Sequence, residues 1–170
     1  MNKLLKPSYY YKDIYSINYQ KLKKNNIKYI LLDIDNTIGD SKDRVPTPKA
    51  IKHIKKLEKE FQIILFSNAL PKRVKRYAEI LGVSSYSCAL KPFGFSYKKF
   101  LRDYKINKSS IAAIGDQFYT DILGANKAGI TSILVDKISD NENIITKINR
   151  KRENILLRKY NIIERGNYDD

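Results

Sequence analysis

Two carboxylates stand two residues apart at the end of an apolar run, in Ile30-Leu31-Leu32-Asp33-Ile34-Asp35-Asn36-Thr37. The run from Ile27 to Leu32 reads as a buried strand. Side chains at i and i+2 of extended chain point the same way. Asp33 and Asp35 would therefore enter one site, with Ile34 turned away. Two adjacent carboxylates repel, and a hard, oxygen-liganded divalent cation such as Mg²⁺ is the compensation that suits them. The pair would supply an aspartate nucleophile beside an aspartic acid/base, the equipment of phosphoryl transfer. The bland reading, in which acidic residues merely end a strand or cap a helix, fits the motif taken alone.

Three later segments repeat the arrangement. The apolar run Phe61 to Phe66 ends in Ser67-Asn68. Lys91 follows, ahead of Pro92 in Ala89-Leu90-Lys91-Pro92-Phe93-Gly94. Ile111-Ala112-Ala113-Ile114-Gly115 then delivers Asp116 and, after Gln117-Phe118-Tyr119-Thr120, Asp121. Asp-x-Asp-x-Thr, Ser-Asn, Lys and Gly-Asp-x-x-x-Thr-Asp, in that order, resemble the four motifs of the haloacid dehalogenase (HAD) superfamily of phosphatases, over roughly residues 25 to 137. The chain also resembles, nearly end to end, the bacterial YqeG-type phosphatases of the capless HAD subclass (subclass III). It does so through Asp-x-Asp-Asn-Thr at 33–37, Ser67-Asn68, Lys72-Arg73-Val74, Lys91-Pro92, Gly115-Asp116-Gln117 through Thr120-Asp121, and Ile-Thr-x-x-Asn-Arg at 145–150. That family is related to the mitochondrial phosphatidylglycerophosphate phosphatases of fungi and to plastid counterparts, which implies a phosphate monoester on a phospholipid headgroup as substrate.

The resemblance also implies roles. Asp33 would attack phosphorus and become an aspartyl-phosphate. Asp35 would protonate the leaving alkoxide and then activate the hydrolytic water. Ser67 and the backbone near Asn68 would hold the phosphoryl oxygens, and Lys91 would offset negative charge. Asp116, Asp33 and the backbone carbonyl of Asp35 would hold Mg²⁺. Asp121 would contact the metal shell or orient Lys91, and the Thr37 hydroxyl would bond locally and fix the loop after Asp35. Each step needs positioned charge around the equatorial oxygens.

These residues need a scaffold that brings strand ends together. Strands are expected at about 27–33, 61–66, 86–89, 111–115 and 131–135. Helices are expected at about 48–60, with Thr47 as N-cap and Pro48 at the first position, and at about 71–81, closed by Gly82. Two more are expected at about 96–105 and 119–128, the last stopping at Gly129. Alternating strands and helices predict a doubly wound, mostly parallel five-stranded α/β sheet, which by resemblance is HAD-like and Rossmannoid. Ligands of such sheets bind beyond the carboxyl ends of strands, where Asp33, Ser67 and Asp116 all fall. Only 29 residues separate Thr37 from Ser67 and 23 separate Ser67 from Lys91. One helix and one strand fill each interval, so no cap domain fits, although Gly39 to Pro46 could form a small flap. An open site favours a lipid, a protein or a nucleic acid over a small free metabolite.

Three regions are expected: a basic, tyrosine-rich segment at 1–26, the catalytic core at 27–137, and a basic C-terminal helix and tail at 138–170. The chain of 170 residues carries a net charge of +15, which suits a polyanionic partner. Lysines interleaved with Tyr9, Tyr10, Tyr11, Tyr15 and Tyr19 read as a membrane-surface segment, with Lys21, Lys23 and Lys24 as its charges. Arg150-Lys151-Arg152 beside Ile144, Ile145, Ile148, Ile155 and Leu156 read as an amphipathic helix with a basic face. Solvated helix faces in a chain of AT-rich coding bias are the bland alternative. No apolar run spans a bilayer and no secretory h-region opens the chain, so a cytoplasmic protein, peripheral at the membrane's inner face, is expected. His53 reads as a surface residue, Cys88 as a packed lone thiol, and Ser67 as an alternative cap for the helix near Pro71. Two other functions fit: a HAD phosphatase acting on nucleic-acid ends or nucleotides, and a non-catalytic HAD-fold protein binding RNA or the ribosome. Against the latter, Asp33, Asp35, Lys91 and Asp116 are all present.

Overall fold

The structure, a computed structural model, describes residues 2–87, 89, 91, 94–140, 147–148, 150–155 and 166–169. Its elements, in chain order, are α1 (Asn2–Leu5), β1 (Tyr9–Tyr11), α2 (Tyr19–Lys24), β2 (Tyr29–Leu32), α3 (Pro48–Leu57), β3 (Gln62–Ser67), α4 (Pro71–Leu81) and β4 (Ser84–Ser87). There follow α5 (Gly94–Asp103), β5 (Ile111–Gly115), a π-helical turn (Phe118–Ile122), α6 (Leu123–Ala128) and β6 (Thr131–Val135). Residues 150–155 are also helical.

The strands form one sheet in the order β1-β6-β5-β2-β3-β4, and every pairing is parallel. Parallel strands are covered on both faces, so their sequences run apolar rather than alternating. Ile30, Leu32, Ile63, Leu65, Ala112 and Ile114 pack with Leu22, Ile54, Leu57, Val74 and Leu81 on one face. Leu31, Ile64, Phe66 and Ala113 pack with Tyr97, Phe100, Ala125 and Ala128 on the other. The result is a three-layer α/β/α domain in which β2 is central. Its register sets Leu32 against Leu65 of β3 and Ile114 of β5, so Asp33, Ser67 and Asp116 leave the sheet side by side where the winding reverses.

Local chemistry explains the helix limits. The Thr47 hydroxyl oxygen accepts a hydrogen bond from the Ala50 N–H at 3.2 Å, with Pro48 at the first position. Gly82 and Gly129 end α4 and α6 in the left-handed conformation. α3 stops at Leu57, earlier than expected. The anticipated helix at 119–128 is instead a π-helical turn leading into a short α-helix.

Among the described residues the sheet has six strands, not five. The extra one, β1, is three tyrosines, too short for its pattern to declare itself, and it pairs along β6. Its segment contributes to the core: Tyr10, Tyr11, Ile14, Ile17 and Leu22 are buried. β4 lies two residues earlier than expected, and it is a polar strand at the sheet edge. His53 is not a free surface residue. Its Nε2 lies 3.1 Å from the Ile14 carbonyl oxygen, and its ring sits edge-on to Tyr15. Burial lowers its pKa. Cys88, Pro92, Phe93, Ile144, Ile145 and Leu156 lie outside the described residues. No helix among the described residues is long and apolar enough to cross a membrane.

Candidate active site

Asp33 follows β2 directly, and its N–H donates to the Ile114 carbonyl at 3.0 Å, which fixes it against β5. The chain then turns sharply. The Ile34 carbonyl accepts from the N–H groups of Thr37, Ile38 and Gly39, and Asn36 takes a positive φ of 59°. Asparagine tolerates that region better than most side chains. This backbone turn, not the Thr37 hydroxyl, fixes the loop: the Thr37 Oγ1 is buried with no partner among the described residues.

Lys91 lies at the centre. Its ammonium donates to Asp33 Oδ1 at 2.7 Å and to Asp121 Oδ1 at 2.5 Å, and all three side chains are at least nine-tenths buried. Asn68 sets the height of Lys91. Its Nδ2 donates to the Lys91 carbonyl at 3.0 Å, and its Oδ1 accepts from the Lys91 N–H at 2.9 Å. The side chain of Asn68 is thus occupied in positioning Lys91. Ser67 is buried, and its Oγ accepts from the Ala69 N–H at 3.2 Å. It does not cap α4, whose first turn has Leu70 at the cap position without a side-chain bond.

Gly115 and the π-helical turn place the remaining acids. A Cβ on residue 115 would stand 2.2 Å from Asp121 Cγ, so only glycine lets that carboxylate fold back under the strand end. Asp121 Oδ2 then accepts from the Gln117 N–H at 3.1 Å and the Thr120 hydroxyl at 3.3 Å. One oxygen from each of Asp33, Asp116 and Asp121 can be chosen so that all lie within 4.8 Å of one another. Asp116 Oδ1 is buried and has no hydrogen-bond partner among the described residues. Three buried carboxylates, one with an unused oxygen, are a donor set that fits a hard divalent cation. The anticipated set was Asp33, Asp116 and the backbone of Asp35. Asp121 joins the carboxylate cluster, while the Asp35 side chain points elsewhere.

That side chain meets Arg73 of α4. Nε and Nη2 of the guanidinium both reach Asp35 Oδ1, at 3.0 and 2.9 Å. Sequence reasoning gives Arg73 no role beyond its place in a family pattern. It misses Arg150 as well. The basic tail reads as outward-facing, yet Arg150 is buried and donates to the Asp116 carbonyl at 2.6 Å and to its Oδ2. Glu153, one turn on and also buried, accepts from the Tyr119 N–H at 2.8 Å. The helix at 150–155 is therefore pinned to the site by its charged residues, while Ile148 and Ile155 are exposed. The signal in the sequence is the i, i+3 pairing of Arg150 with an acid, which outward-facing helices share.

The electrostatics follow from burial. Asp33 is pushed up to about 6 by desolvation, which the Lys91 charge only partly offsets. Desolvation also raises Asp116, against Arg150, and Asp35, against Arg73. Burial disfavours the Lys91 ammonium, but Asp121 and Asp33 outweigh it and raise its pKa.

A doubly wound parallel sheet with paired aspartates after its central strand, and with a lysine and a second acid pair beyond its neighbours, is a HAD-like α/β arrangement, and no further domain interrupts it among the described residues. A family model described as HAD-hydrolase-like matches residues 89–154. The probable phosphatase YqeG of Bacillus subtilis (strain 168) is 32% identical over 158 residues, covering 92% of each chain. The chain belongs to the HAD-like superfamily, with YqeG as a homologue across nearly its whole length. Among solved structures, a HAD family enzyme from Bacteroides thetaiotaomicron aligns with a TM-score of 0.55 at 12% identity, covering 68% of this chain and 97% of that one. The D,D-heptose 1.7-bisphosphate phosphatase of B. bronchiseptica, solved with magnesium and phosphate, aligns with a TM-score of 0.50 at 21% identity, covering 64% and 80%. These likenesses are of fold.

Proposed function

We propose that this chain is a Mg²⁺-dependent phosphomonoesterase that works through an aspartyl-phosphate on Asp33. The observation that carries the reading is the buried Lys91 ammonium shared by Asp33 and Asp121, beside an Asp116 oxygen with no partner among the described residues. Asp33, Asp116, Asp121 and the Asp35 carbonyl would hold the cation, which when bound supplies charge to neutralise the phosphoryl oxygens. Lys91 orients Asp33 and leaves its other oxygen for attack at phosphorus. As the new O–P bond forms, the bond to the alkoxide breaks, and Asp35 gives that oxygen its proton. Asp35 then takes a proton from the water that attacks phosphorus and returns free Asp33. Ser67, Lys91 and the backbone near Asn68 line the place of the phosphoryl oxygens, and Asp121 holds the Lys91 ammonium there.

For substrate, we favour a phospholipid headgroup, phosphatidylglycerophosphate giving phosphatidylglycerol, worked on from the cytoplasmic side of an anionic membrane. The segments beyond the strand ends support it. Leu70, just before α4, is 77% exposed and Phe95, in the first turn of α5, 57%, large apolar side chains open to a partner. The outward face of the tail helix carries Ile148, Lys151, Arg152 and Ile155, a mixture suited to an interface. Lys23 and Lys24 give no such support. They end α2, before β2 begins, and Lys23 pairs with Glu60 ahead of β3, so they lie at the amino ends of the strands, opposite Asp33.

The test is phosphate release from phosphatidylglycerophosphate in vesicles, nucleotides, 5′-phosphorylated oligonucleotides and sugar phosphates, with Mg²⁺ and with chelator. Lipid turnover that needs Mg²⁺ and falls to background in Asp33→Asn is expected. Residual activity above a few per cent in that variant rejects the covalent route, and a preference for oligonucleotide ends at physiological salt replaces the lipid.

A further inference from the structure

Arg73 does more than an ion pair requires. Besides Asp35 Oδ1, its Nη2 donates to the Asp40 carbonyl at 3.0 Å and its Nη1 to the Asp43 carbonyl. Its guanidinium carbon lies 4.9 Å from the centre of the Tyr77 ring, one turn along α4. Tyr77 is fully buried, and its hydroxyl donates to the same Asp43 carbonyl at 3.3 Å. A Cβ on Gly39 would come within 2.7 Å of that hydroxyl, so the start of the loop lies against it. The loop from Asp40 to Asp43 is therefore strapped to α4 by one cation and one phenol. The Asp40 N–H bonded to Asp43 Oδ2 at 2.9 Å closes the turn itself.

The consequence falls on Asp35. Both guanidinium contacts go to Oδ1, and Oδ2 has no hydrogen bond to any described residue. A planar fork anchored on two carbonyls and a ring face cannot swing with the carboxylate. It fixes the carboxylate plane and leaves one defined oxygen for the substrate. Arg73 is itself registered on the rest of the site, since α4 starts at Pro71, three residues after the Asn68 that holds Lys91. The short segment 67–73 thus sets both the cation beside the nucleophile and the aim of the acid.

We propose that Arg73 is a positioning residue for the reaction. It acts through Asp35 by presenting Oδ2 to the leaving-group oxygen, and it makes that presentation depend on the 40–43 loop being seated. The inference rests on the phosphatase reading, and the experiment separates the two. Steady-state kinetics would be measured with phenyl phosphate, whose leaving group needs a proton, and with 2,4-dinitrophenyl phosphate, whose leaving group does not. Wild-type turnover of the dinitrophenyl ester that vanishes in Asp33→Asn upholds the phosphatase reading by itself, and its absence defeats that reading alone.

Given that turnover, Arg73→Lys and Arg73→Gln should lose kcat on phenyl phosphate by about 100-fold, the scale of general-acid catalysis. The loss should exceed that on the dinitrophenyl ester by at least about tenfold, with KM little changed. Asp35→Asn/Arg73→Lys should be no slower than Asp35→Asn, because a residue acting through another adds nothing once that one is gone. Amide hydrogen exchange at residues 40–43 should quicken in Arg73→Lys while exchange in β2 and β5 stays slow, which keeps the test valid without any turnover of phenyl phosphate. Equal losses on the two esters, additive losses in the double variant, a rise in KM alone, or unchanged exchange at 40–43 would each overturn the proposal.

Discussion

Replacing Lys91 by methionine keeps the volume of the side chain and removes its charge from between two carboxylates. The two ion pairs that this breaks are 2.7 and 2.5 Å long, between groups at most 7% exposed. At an effective dielectric constant of about 20, each is worth about 6 kcal/mol of Coulomb attraction. Desolvating the three ions cancels much of that sum, and removing one member of a buried pair costs a net of about 3–5 kcal/mol because the remaining charge is stranded. Against a total stability of about 5–15 kcal/mol this is a large fraction. Urea denaturation at neutral pH, in chelator, reads it directly. With an m value of about 2 kcal/mol/M, the midpoint should fall by about 1.5–2.5 M at unchanged m. The Asn68 bonds go to the main chain of residue 91, so they survive the change and the loop should keep its place. Adding Asp121→Asn to Lys91→Met should restore about 1 kcal/mol or more by removing one stranded charge. A midpoint shift under about 0.5 M, or a double variant that simply adds the two single costs, would refute the charge-balance account of the centre.

Two other consequences are direct. Gly115→Ala forces Asp121 from its place, and should cost about 1–3 kcal/mol in a urea titration and lower phosphate release by about 100-fold through misplacement; wild-type turnover in that variant would disprove this. His53 has a folded-state pKa below its ordinary value because burial disfavours the imidazolium. The stability gained by keeping the ring neutral is complete above about 6.5 and is lost as pH falls through the folded-state value. Wild type should thus lose more urea resistance than His53→Gln between about pH 7.5 and about pH 5, a window that brackets the ordinary histidine value, and parallel losses would disprove this.

The strands nearest the chemistry are the most legible. β2, β3 and β5 are interior strands of a parallel sheet, so each reads as an unbroken apolar run that stops at a polar residue, and the stop is the site. β1 and β4 lie at the sheet edges, where three tyrosines and a Ser-Ser-Tyr-Ser stretch have too little apolar content to be told from loop. The same limit hides the direction of the tail. Arg150 and Glu153 look like solvent residues by type, and only a distant partner, Asp116 or Tyr119, turns them inward. Asp121 is visible as a motif position expected to contact the metal shell or orient Lys91, but not the π-helical turn that folds it back, which has no sequence period. Arg73 lies on a helix that the apolar spacing predicts, yet its target, a loop of four residues, has no pattern at all.

The pairing of β1 with β6 has a cost in time. Ser8 and Ser132 bond to each other across 124 residues of chain, and Tyr9, Tyr10 and Tyr11 pair with no other strand among the described residues. At translation rates of about 5–20 residues per second, roughly 6–25 s pass between synthesis of the two partners. Throughout that interval three adjacent tyrosines and the apolar residues after them wait without a sheet, and such long-range closure is slow once the partner arrives. Nascent chains of this protein should therefore engage a ribosome-associated chaperone through residues 9–17, and β1 should be the first strand to leave the sheet when the folded protein is pulled from its N-terminal side.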